Sequence, residues 1–396
     1  MKKYIVIALA ALVAFAACTK VNPEEKKSEK ISFQVANYMA QTKANSSLES
    51  EGYETFNCYA WQFTAAGVAA NTIPYMSNIA VNKGTNEWVP SDDYYWPKTG
   101  YINFYSYAGS QAPTVTPSDG NKTVTVAYTN KTIASTDNFM VADPALHFGV
   151  ANFDADMVKI NDNQGAFDYT TGNYTYTAIN PADTDANPLY KGVPTLFHHM
   201  LAKVAFVIKL KTTTASNNTS WTVKVLNSAT DNQKSNIEAL KTGTLTLESA
   251  DAAAATASAS IGSWTVKNAT NAAIGWVPGT SAEVMPFETV SLTLPKEATE
   301  TAAQTLFPVR TVMPQATSSV AFNLAYEVSA AHGSTVFMKE VIKVSEQLSA
   351  IASTPAAWNM NQITLYTITI DPVGKKITFD PAVVEWTSQA ATEIKL

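Results

Sequence analysis

The sequence predicts an all-β fold, with sandwiches favoured over a barrel. Segments in which apolar and polar residues alternate recur along the chain, which is the pattern of half-buried strands. Charged residues make up only 15% of the 396 residues, while Thr, Ala, Asn, Val and aromatic residues are abundant. No long stretch has helical periodicity, and clusters of Asn, Gly, Pro and Asp separate the alternating segments. We therefore expect short strands joined by turns.

The first 17 residues predict a secretory signal. Lys2 and Lys3 precede an uncharged apolar run over 4–17, which is too short to span a bilayer because a spanning helix needs about 20 apolar residues. The triplet over 16–18 ends in Cys18 and fits a lipobox, in which the cysteine thiol is acylated. Phe15 departs from the usual aliphatic residue of that motif. The alternative is an ordinary signal peptide cut near Ala16.

Residues 18–30 predict a lipidated tether. After Cys18 the chain is polar and charged up to Lys30. Such a composition cannot bury a core and favours a flexible linker. The folded part is therefore expected to begin near Ile31.

Charge and cysteine content exclude several classes of protein. Removal of the signal peptide deletes Lys2 and Lys3 and leaves 25 basic residues against 33 acidic ones. No basic patch of the size that nucleic acids require is implied, so no nucleic-acid partner is expected. With Cys18 acylated, Cys58 is the sole remaining cysteine, and an intramolecular disulfide is ruled out.

The alternating segments predict strands in a definite order. They are residues 31–35, 56–60, 102–106, 124–129, 221–225, 245–247, 320–326 and 365–370. Residues 236–240 and 345–351 are interpreted as short helical turns. Residues 249–260, which are nearly all Ala, Thr and Ser, predict a long surface loop.

The length predicts two domains. About 380 mature residues exceed one ordinary sandwich. A polar, Asp- and Asn-rich stretch over 161–187 precedes an apolar block over 196–208. We place the junction at 188–195, which gives an N-terminal domain of residues 31–190 and a C-terminal domain of residues 191–396.

The motifs of common enzymes are missing from the sequence. It contains no His-Glu-x-x-His, Gly-x-Ser-x-Gly, Gly-x-x-x-x-Gly-Lys or Cys-x-x-Cys. The best candidate for a metal ligand or base is the pair His198 and His199. Neighbouring side chains of a regular strand point to opposite faces, so a structural role is favoured. We expect no catalytic residue, no metal and no cofactor.

Two further clusters have both a functional and a structural interpretation. Four acidic residues lie near each other and are able to collect a hard cation, although solvated loop acids are the favoured interpretation. These are Asp154, Asp156, Asp162 and Asp168. Four aromatic residues are able to stack on a sugar, although closing the end of a sandwich is favoured. These are Trp88, Tyr94, Tyr95 and Trp96.

In order and spacing, a series of segments resembles the fimbrillin, or Mfa-like, lipoproteins of Bacteroidota over nearly the whole mature chain. The series runs from Ile31-Ser32-Phe33 and Thr42-Lys43-Ala44 through 56–60, 76–78, Trp88, 95–97, 102–107, 137–142, 197–204, 361–370 and 377–379 to 384–386. The resemblance implies two transthyretin-like β-sandwich domains, export as a lipoprotein, and polymerisation into a type V pilus at the outer membrane and cell surface.

In that family a protease removes the first strand, and the terminal strand of another subunit fills the vacated groove. Relatives are typically cut after arginine, whereas this chain has Lys43 followed by Ala44 at that position, and its single arginine is Arg310. The resemblance therefore implies a lysine-accepting protease. The implied partners are other fimbrial subunits in a homo- or hetero-polymer, outer-membrane lipid through acylated Cys18, and a host or bacterial surface ligand.

The terminal run over 384–396 alternates regularly, as a strand lying in a groove requires. One face carries the candidate donor residues Val384, Trp386, Ala390, Ile394 and Leu396. The alternative for this run is an edge strand of its own C-terminal domain. The first strand has a comparable apolar face, formed by Ile31, Phe33, Val35 and Met39.

Two other functions remain open at this point. The main alternative to a fimbrial subunit is a monomeric surface lipoprotein that binds glycans or host proteins through its loops. A secreted hydrolase is a distant third.

Overall fold

In a computed structural model of the chain, β-strands dominate and the prediction of an all-β fold is confirmed. The structure describes residues 30–36, 48, 51–65, 68–69, 74–85, 87–97, 100–118, 123–148, 167–168, 173–174, 192–216, 218–228, 233–249, 260–351 and 353–386. Within these ranges no helix is long and apolar enough to cross a membrane.

Residue 192 divides the strands into those that precede it along the chain and those that follow it. The strands before it are β1 Phe33–Ala36, β2 Thr55–Ala65, β3 Val68–Ala69, β4 Met76–Lys83, β5 Trp88–Pro90, β6 Tyr101–Gly109, β7 Thr114–Ser118, β8 Thr123–Thr132, β9 Phe139–Ala142, β10 Ala145–Phe148, β11 Phe167–Asp168 and β12 Asn173–Tyr174. The next group is β13 Val193–His199, β14 Ala202–Leu210, β15 Ser220–Leu226, β16 Asn236–Leu240, β17 Thr242–Ser249, β18 Ser260–Ile261, β19 Trp264–Val266, β20 Trp276–Pro278, β21 Ala282–Pro286 and β22 Ser291–Leu294. The last group is β23 Gln304–Val312, β24 Gln315–Ala316, β25 Ala321–His332, β26 Thr335–Gln347, β27 Ala357–Trp358, β28 Gln362–Asp371 and β29 Lys376–Glu385.

The eight segments predicted as strands all lie largely within observed strands, but one predicted helical turn is wrong. Residues 236–240 form β16, which pairs with β21 and β25. Its two buried apolar residues, Ile237 and Ala239, are spaced by two, as the strand period requires. The other predicted turn is right only at its end, where β26 gives way to a 3-10 turn at Leu348–Ala350. Residues 250–259 of the predicted surface loop lie outside the described residues.

The first half of the chain is built on a ten-stranded sheet that closes on itself. Its order is β18-β10-β6-β9-β13-β1-β5-β4-β2-β3, and β6 also pairs with β2. The strands from β6 through β9, β13, β1, β5 and β4 to β2 therefore form a ring. The ring encloses a core that is rich in aromatic side chains, including Phe33, Phe56, Phe104 and Phe197.

Two sheets combine residues from both sides of the predicted junction. Strand β13, which begins at Val193, pairs with β9 and β1 of the first half. In a five-stranded sheet, β17 pairs with β8 as well as with β19 and β20. A further core, which includes Tyr128, Phe139, Trp276 and Trp386, lies where these elements meet. The division at residue 190 remains a prediction.

The second half contains a β-sandwich. A four-stranded sheet has the order β23-β14-β28-β29, and a six-stranded sheet has the order β21-β16-β25-β15-β22 with β26 paired to β25. Both sheets contribute to one core. Phe206 stacks on Tyr366 within the first of these sheets at 4.6 Å and contacts Phe322 of the second at 6.0 Å between ring centres.

Candidate functional site

The candidate site begins with β1, which is an interior strand of the closed sheet. It pairs in parallel with β13 along its whole length, from Phe33 opposite Val193 to Ala36 opposite Leu196. On its other side Phe33 is paired with Trp88 of β5 in an antiparallel contact. Strand β1 therefore connects two neighbouring strands of the ring, through four residue pairs with β13 and one residue pair with β5.

The side chain of Phe33 fills the centre of the first core. It has no solvent exposure. Its ring meets Phe56 and Phe104 edge-on at 5.6 and 5.4 Å between centres. Phe56 in turn contacts Trp88 and Phe197, at 5.5 and 5.3 Å. Phe33 thus lies in a pocket formed by rings of β2 and β6, and Phe56 links this pocket to the rings of Trp88 in β5 and Phe197 in β13.

Backbone hydrogen bonds extend the attachment of the first strand beyond β1 itself. The Ile31 amide donates to the carbonyl of Tyr94 at 2.8 Å, and the Val193 amide donates to the carbonyl of Ser32 at 2.8 Å. Ile31 is buried beside Phe33 in the same core, and Val35 is partly buried there. The apolar face predicted for the first strand is thus inward-facing at Ile31, Phe33 and Val35, while Met39 lies outside the described residues.

The start of the predicted donor strand lies in the sandwich of the chain's own second half. Strand β29 is an edge strand there, antiparallel to β28, with Val384 opposite Ile363. Val384 is 43% exposed, whereas Trp386 is only 2% exposed. The remaining predicted donor residues, Ala390, Ile394 and Leu396, lie outside the described residues.

Trp386 lies in a buried polar cluster that joins the two halves of the chain, which we call the Trp386 clamp. Its indole Nε1 donates to Glu51 Oε1 at 3.0 Å, and its backbone amide donates to the Asn361 carbonyl at 2.7 Å. Its ring stacks on the imidazole of His199, with centres 3.8 Å apart and planes 6° apart. Lys203 Nζ lies 3.9 Å from the ring centre, a cation–π contact. The clamp therefore comprises Glu51, His199, Lys203, Asn361 and Trp386.

The hydrogen bonds around His199 fix its protonation. Asn138 Nδ2 donates to Glu51 Oε2 at 3.2 Å, so Asn138 Oδ1 is left to accept from His199 Nδ1 at 2.8 Å. His199 Nε2 has no hydrogen-bond partner and lies 3.8 Å from Glu51 Oε1. Burial, with smaller effects from Lys203 and His198, holds the pKa of His199 well below 6.5. The ring is therefore neutral at pH 7, with its proton on Nδ1.

Lys203 and Glu51 form the charged pair of the clamp. Lys203 Nζ lies 3.7 Å from Glu51 Oε1, and both side chains are mostly buried. Burial lowers the pKa of Lys203, and Glu51 acts in the opposite direction. One carboxylate thus accepts from the indole and from Asn138 while facing an ammonium group, which satisfies its lone pairs in a partly buried setting.

Sequence patterns singled out His199 only as a candidate ligand, and they gave no sign that His199, Glu51 and Lys203 surround Trp386. Glu51 is separated from Trp386 by 335 positions. Asn138 and Asn361 stand just before strands β9 and β28, in segments used only for the family resemblance. Only the pairing of distant strands brings these residues together, and no local spacing signals it.

His198 and His199 do not form a shared ligand site. His198 Nε2 contacts Asp143 Oδ2 at 2.9 Å, whereas His199 contacts Asn138 and Trp386. In the described part of the chain, no group of three or more His, Cys, Asp or Glu side chains is arranged to hold a metal ion. Cys58 is buried, and burial raises the pKa of its thiol to about 12. His198 and His199 thus have separate partners, and the Cys58 thiol is enclosed in the first core.

The aromatic cluster near β5 belongs mainly to the first core. Trp88 and Trp96 are buried within it, and Tyr94 packs against it. Tyr95 alone of the four is exposed, at 39%. Two of the four rings are thus inaccessible to a sugar. Of the acidic group, Asp154, Asp156 and Asp162 lie outside the described residues, and Asp168 is in β11.

The predicted lipidation and processing residues, Cys18, Lys43 and Ala44, lie outside the described residues. The nearest described residue after Lys43 is Leu48, which is fully buried in the first core. Its carbonyl accepts from the Tyr53 amide at 3.1 Å. The chain is therefore fastened to the first core on both sides of the predicted processing position, by β1 before it and by Leu48 after it.

No family model matches the chain, and no curated protein matches its sequence. Among solved structures, it is similar to a fimbrial protein from Bacteroides vulgatus, with 15% identity, a TM-score of 0.43, and coverage of 90% of this chain and 99% of that chain. It is also similar to the fimbrial anchor protein Mfa2 from Porphyromonas gingivalis, with 7% identity, a TM-score of 0.27, and coverage of 90% and 98%. Both of these similar structures are fimbrial proteins of Bacteroidota.

Proposed function

We propose that the chain is a structural subunit of a cell-surface fimbria that assembles by strand exchange and supports adhesion. The precursor is exported as a lipoprotein and acylated at Cys18. A protease then cuts after Lys43 and releases the first strand. The vacated groove accepts the terminal strand of another subunit.

The observation that carries this proposal is the position of β1 inside the closed sheet. A strand at the edge of a sheet leaves one row of backbone groups unpaired when it is lost. Loss of β1 leaves unpaired positions on both neighbours, a row of four on β13 and the single position Trp88 on β5, with an aromatic pocket at the place of Phe33. Unpaired strands flanking an apolar slot form a site for β-augmentation, in which an added strand satisfies the backbone and fills the pockets.

The short length of β1 supports its replacement. Its ladder with β13 has four residue pairs. The first strand places its buried side chains at Ile31 and Phe33, two positions apart. The terminal segment offers Ile394 and Leu396 at the same spacing. Each of these side chains contributes roughly 1.5–3 kcal/mol when fully buried, so a donor strand has enough apolar surface to compete for the slot.

The processing position is compatible with retention of the rest of the fold. Cleavage after Lys43 removes β1 but keeps Leu48, which is buried in the first core, and Glu51, which binds Trp386. The mature chain therefore keeps the contacts that hold its new N-terminal region. The lipid on Cys18 leaves with the released segment, unless the subunit stays unprocessed and serves as an anchor.

Surface assembly is tested by changing the donor residues. A chain with Ile394→Asp and Leu396→Asp should be exported but should give no heat-sensitive, SDS-resistant ladder at the cell surface, because two carboxylates cannot enter an aromatic slot without a large desolvation cost. Val336→Asp is the matched control, since Val336 is 58% exposed in the described structure. A normal ladder from the double variant would refute the strand-exchange proposal.

A further inference from the structure

We infer that Trp386 is a fixed attachment point for the terminal segment: the Trp386 clamp holds it in its own subunit, and the strand given to a neighbour begins at Thr387. This inference rests on the proposed function and defines which residues form the donor strand. It separates Val384 and Trp386 from Ala390, Ile394 and Leu396, although all five lie on one face of the same alternating run.

Trp386 is held on several sides by its own chain. Glu51 accepts from its indole, Asn361 accepts from its amide, and the planar ring contacts both His199 and Lys203. The ring is also part of a hydrophobic core that contains Tyr128, Phe139 and Trp276. To donate Trp386, the subunit would have to open this core.

The residues just before Trp386 are engaged as well. Strand β29 pairs with β28 without a register shift, up to Glu385 opposite Gln362. Donation of Val384 would break the end of this ladder in one subunit to form a ladder in another, with no net gain of backbone hydrogen bonds. The attachment therefore favours a donor that starts after the ladder and after the clamp.

The clamp is also compatible with processing. Glu51 lies on the C-terminal side of Lys43, so the cut that releases β1 leaves its contact with Trp386 intact. Leu48 is buried in the first core between these two positions and fixes the new N-terminal region there. The clamp is thus a feature of both the precursor and the processed subunit.

The segment beyond the clamp is long enough to act alone. Residues 387–396 number ten, and ten extended residues span about 33 Å. The first strand with its flanking hydrogen bonds occupies residues 31–36. A donor that begins at Thr387 therefore covers the slot and still has residues left for the path between subunits.

Photo-crosslinking tests the two halves of the run separately. A benzoylphenylalanine residue is placed at Trp386 in one full-length chain and at Ile394 in another, and each chain is produced with light and with heavy nitrogen. Light and heavy subunits are assembled together and irradiated, and the crosslinked peptides are read by mass spectrometry. A crosslink within one subunit joins peptides of the same isotope, whereas a crosslink between subunits also gives mixed pairs.

The inference predicts different outcomes for the two positions. Crosslinks from position 386 should contain peptides around Glu51 or His199 and no mixed pairs, in the monomer and in the polymer. Crosslinks from position 394 should include mixed pairs in the polymer. Mixed pairs from position 386 would overturn the inference and leave strand exchange intact, while the lack of mixed pairs from position 394 would overturn strand exchange and, with it, the idea of a donor that begins at Thr387.

A second probe covers the case in which the bulky group at position 386 prevents folding. Tyr53 is half-buried, and its hydroxyl contacts the Asn138 carbonyl, next to the clamp. Benzoylphenylalanine at Tyr53 should crosslink to the peptide that contains the native Trp386 of the same subunit. Capture of a Trp386 peptide from a different subunit would contradict the fixed attachment, and capture of none would show that Trp386 does not occupy this position.

Discussion

The ring of Trp386 lies flat on the ring of His199, with centres 3.8 Å apart. This contact joins the end of the last described strand to the end of β13, a strand of the closed sheet in the first half. Glu51 and Lys203 complete the surroundings of the two rings. Stacking on a neutral imidazole in a buried setting makes this contact sensitive to the protonation of His199.

Stability should decrease when the pH falls below about 6.5. The folded state holds the pKa of His199 well below that value, so in this window the unfolded chain binds a proton that the folded chain does not. The free energy of unfolding then falls with decreasing pH, by up to about 1.4 kcal/mol per pH unit for one such group. Urea unfolding between pH 7.5 and 5.5 measures this slope, which should be smaller in His199→Gln.

The control for this measurement is His332→Gln. His332 lies at the end of β25 on the surface. It is not among the residues that face His199, which are Glu51, Lys203, His198, Asn138 and Trp386. The control should keep the slope of the unchanged chain. A slope that is equal in His199→Gln and in the unchanged chain would show that buried neutral His199 is not its source.

Phe33→Ala should destabilise the precursor by about 3–5 kcal/mol, because it removes a fully buried ring from an aromatic pocket. The matched control is Phe337→Ala, since Phe337 is 60% exposed and a change there should stay within about 0.5 kcal/mol. Urea unfolding of the two variants gives the comparison. Equal stability of both would mean that β1 contributes little to the first core.

Local patterns predicted the strands well because alternation is a property of each segment alone. They did not predict the neighbours of a strand, since the pairing of Phe33 with Val193 and of Leu245 with Tyr128 joins distant parts of the chain. Residues 236–240 were misread as helical for the same reason, because pairing with β21 and β25 decides their conformation. The clamp was missed, although Trp386 itself was singled out by its place in the terminal alternation.

Cys18→Ala should abolish labelling of the precursor by a fatty-acid probe, because the thiol is the predicted acylation site. Cys58→Ala is the control and should keep the label, since Cys58 is buried in the first core. Labelling is measured on the protein isolated from cells. Normal labelling of Cys18→Ala would exclude Cys18 as the lipid-bearing residue.

Lys43→Ala should block processing and leave a folded precursor that does not polymerise, because β1 then stays in its slot. The control is Lys30→Ala, which removes only an exposed ion pair with Asp93 at 2.7 Å and should be processed normally. Mass spectrometry of the N-terminus reports the outcome. Polymer from Lys43→Ala that begins at Ala44 would contradict the assignment, and polymer with a different N-terminus would move the cleavage site.

The central claim is that one subunit fills the slot of β1 in another with its terminal segment, and truncation tests it most directly. A chain that ends at Trp386 keeps β29 and the Trp386 clamp but lacks residues 387–396, so it should fold, be exported and be processed. The measurement is the ladder of surface protein on an SDS gel run without heating, beside the full-length chain. Strand exchange predicts monomer alone from the truncated chain, and a normal ladder from it would contradict the claim.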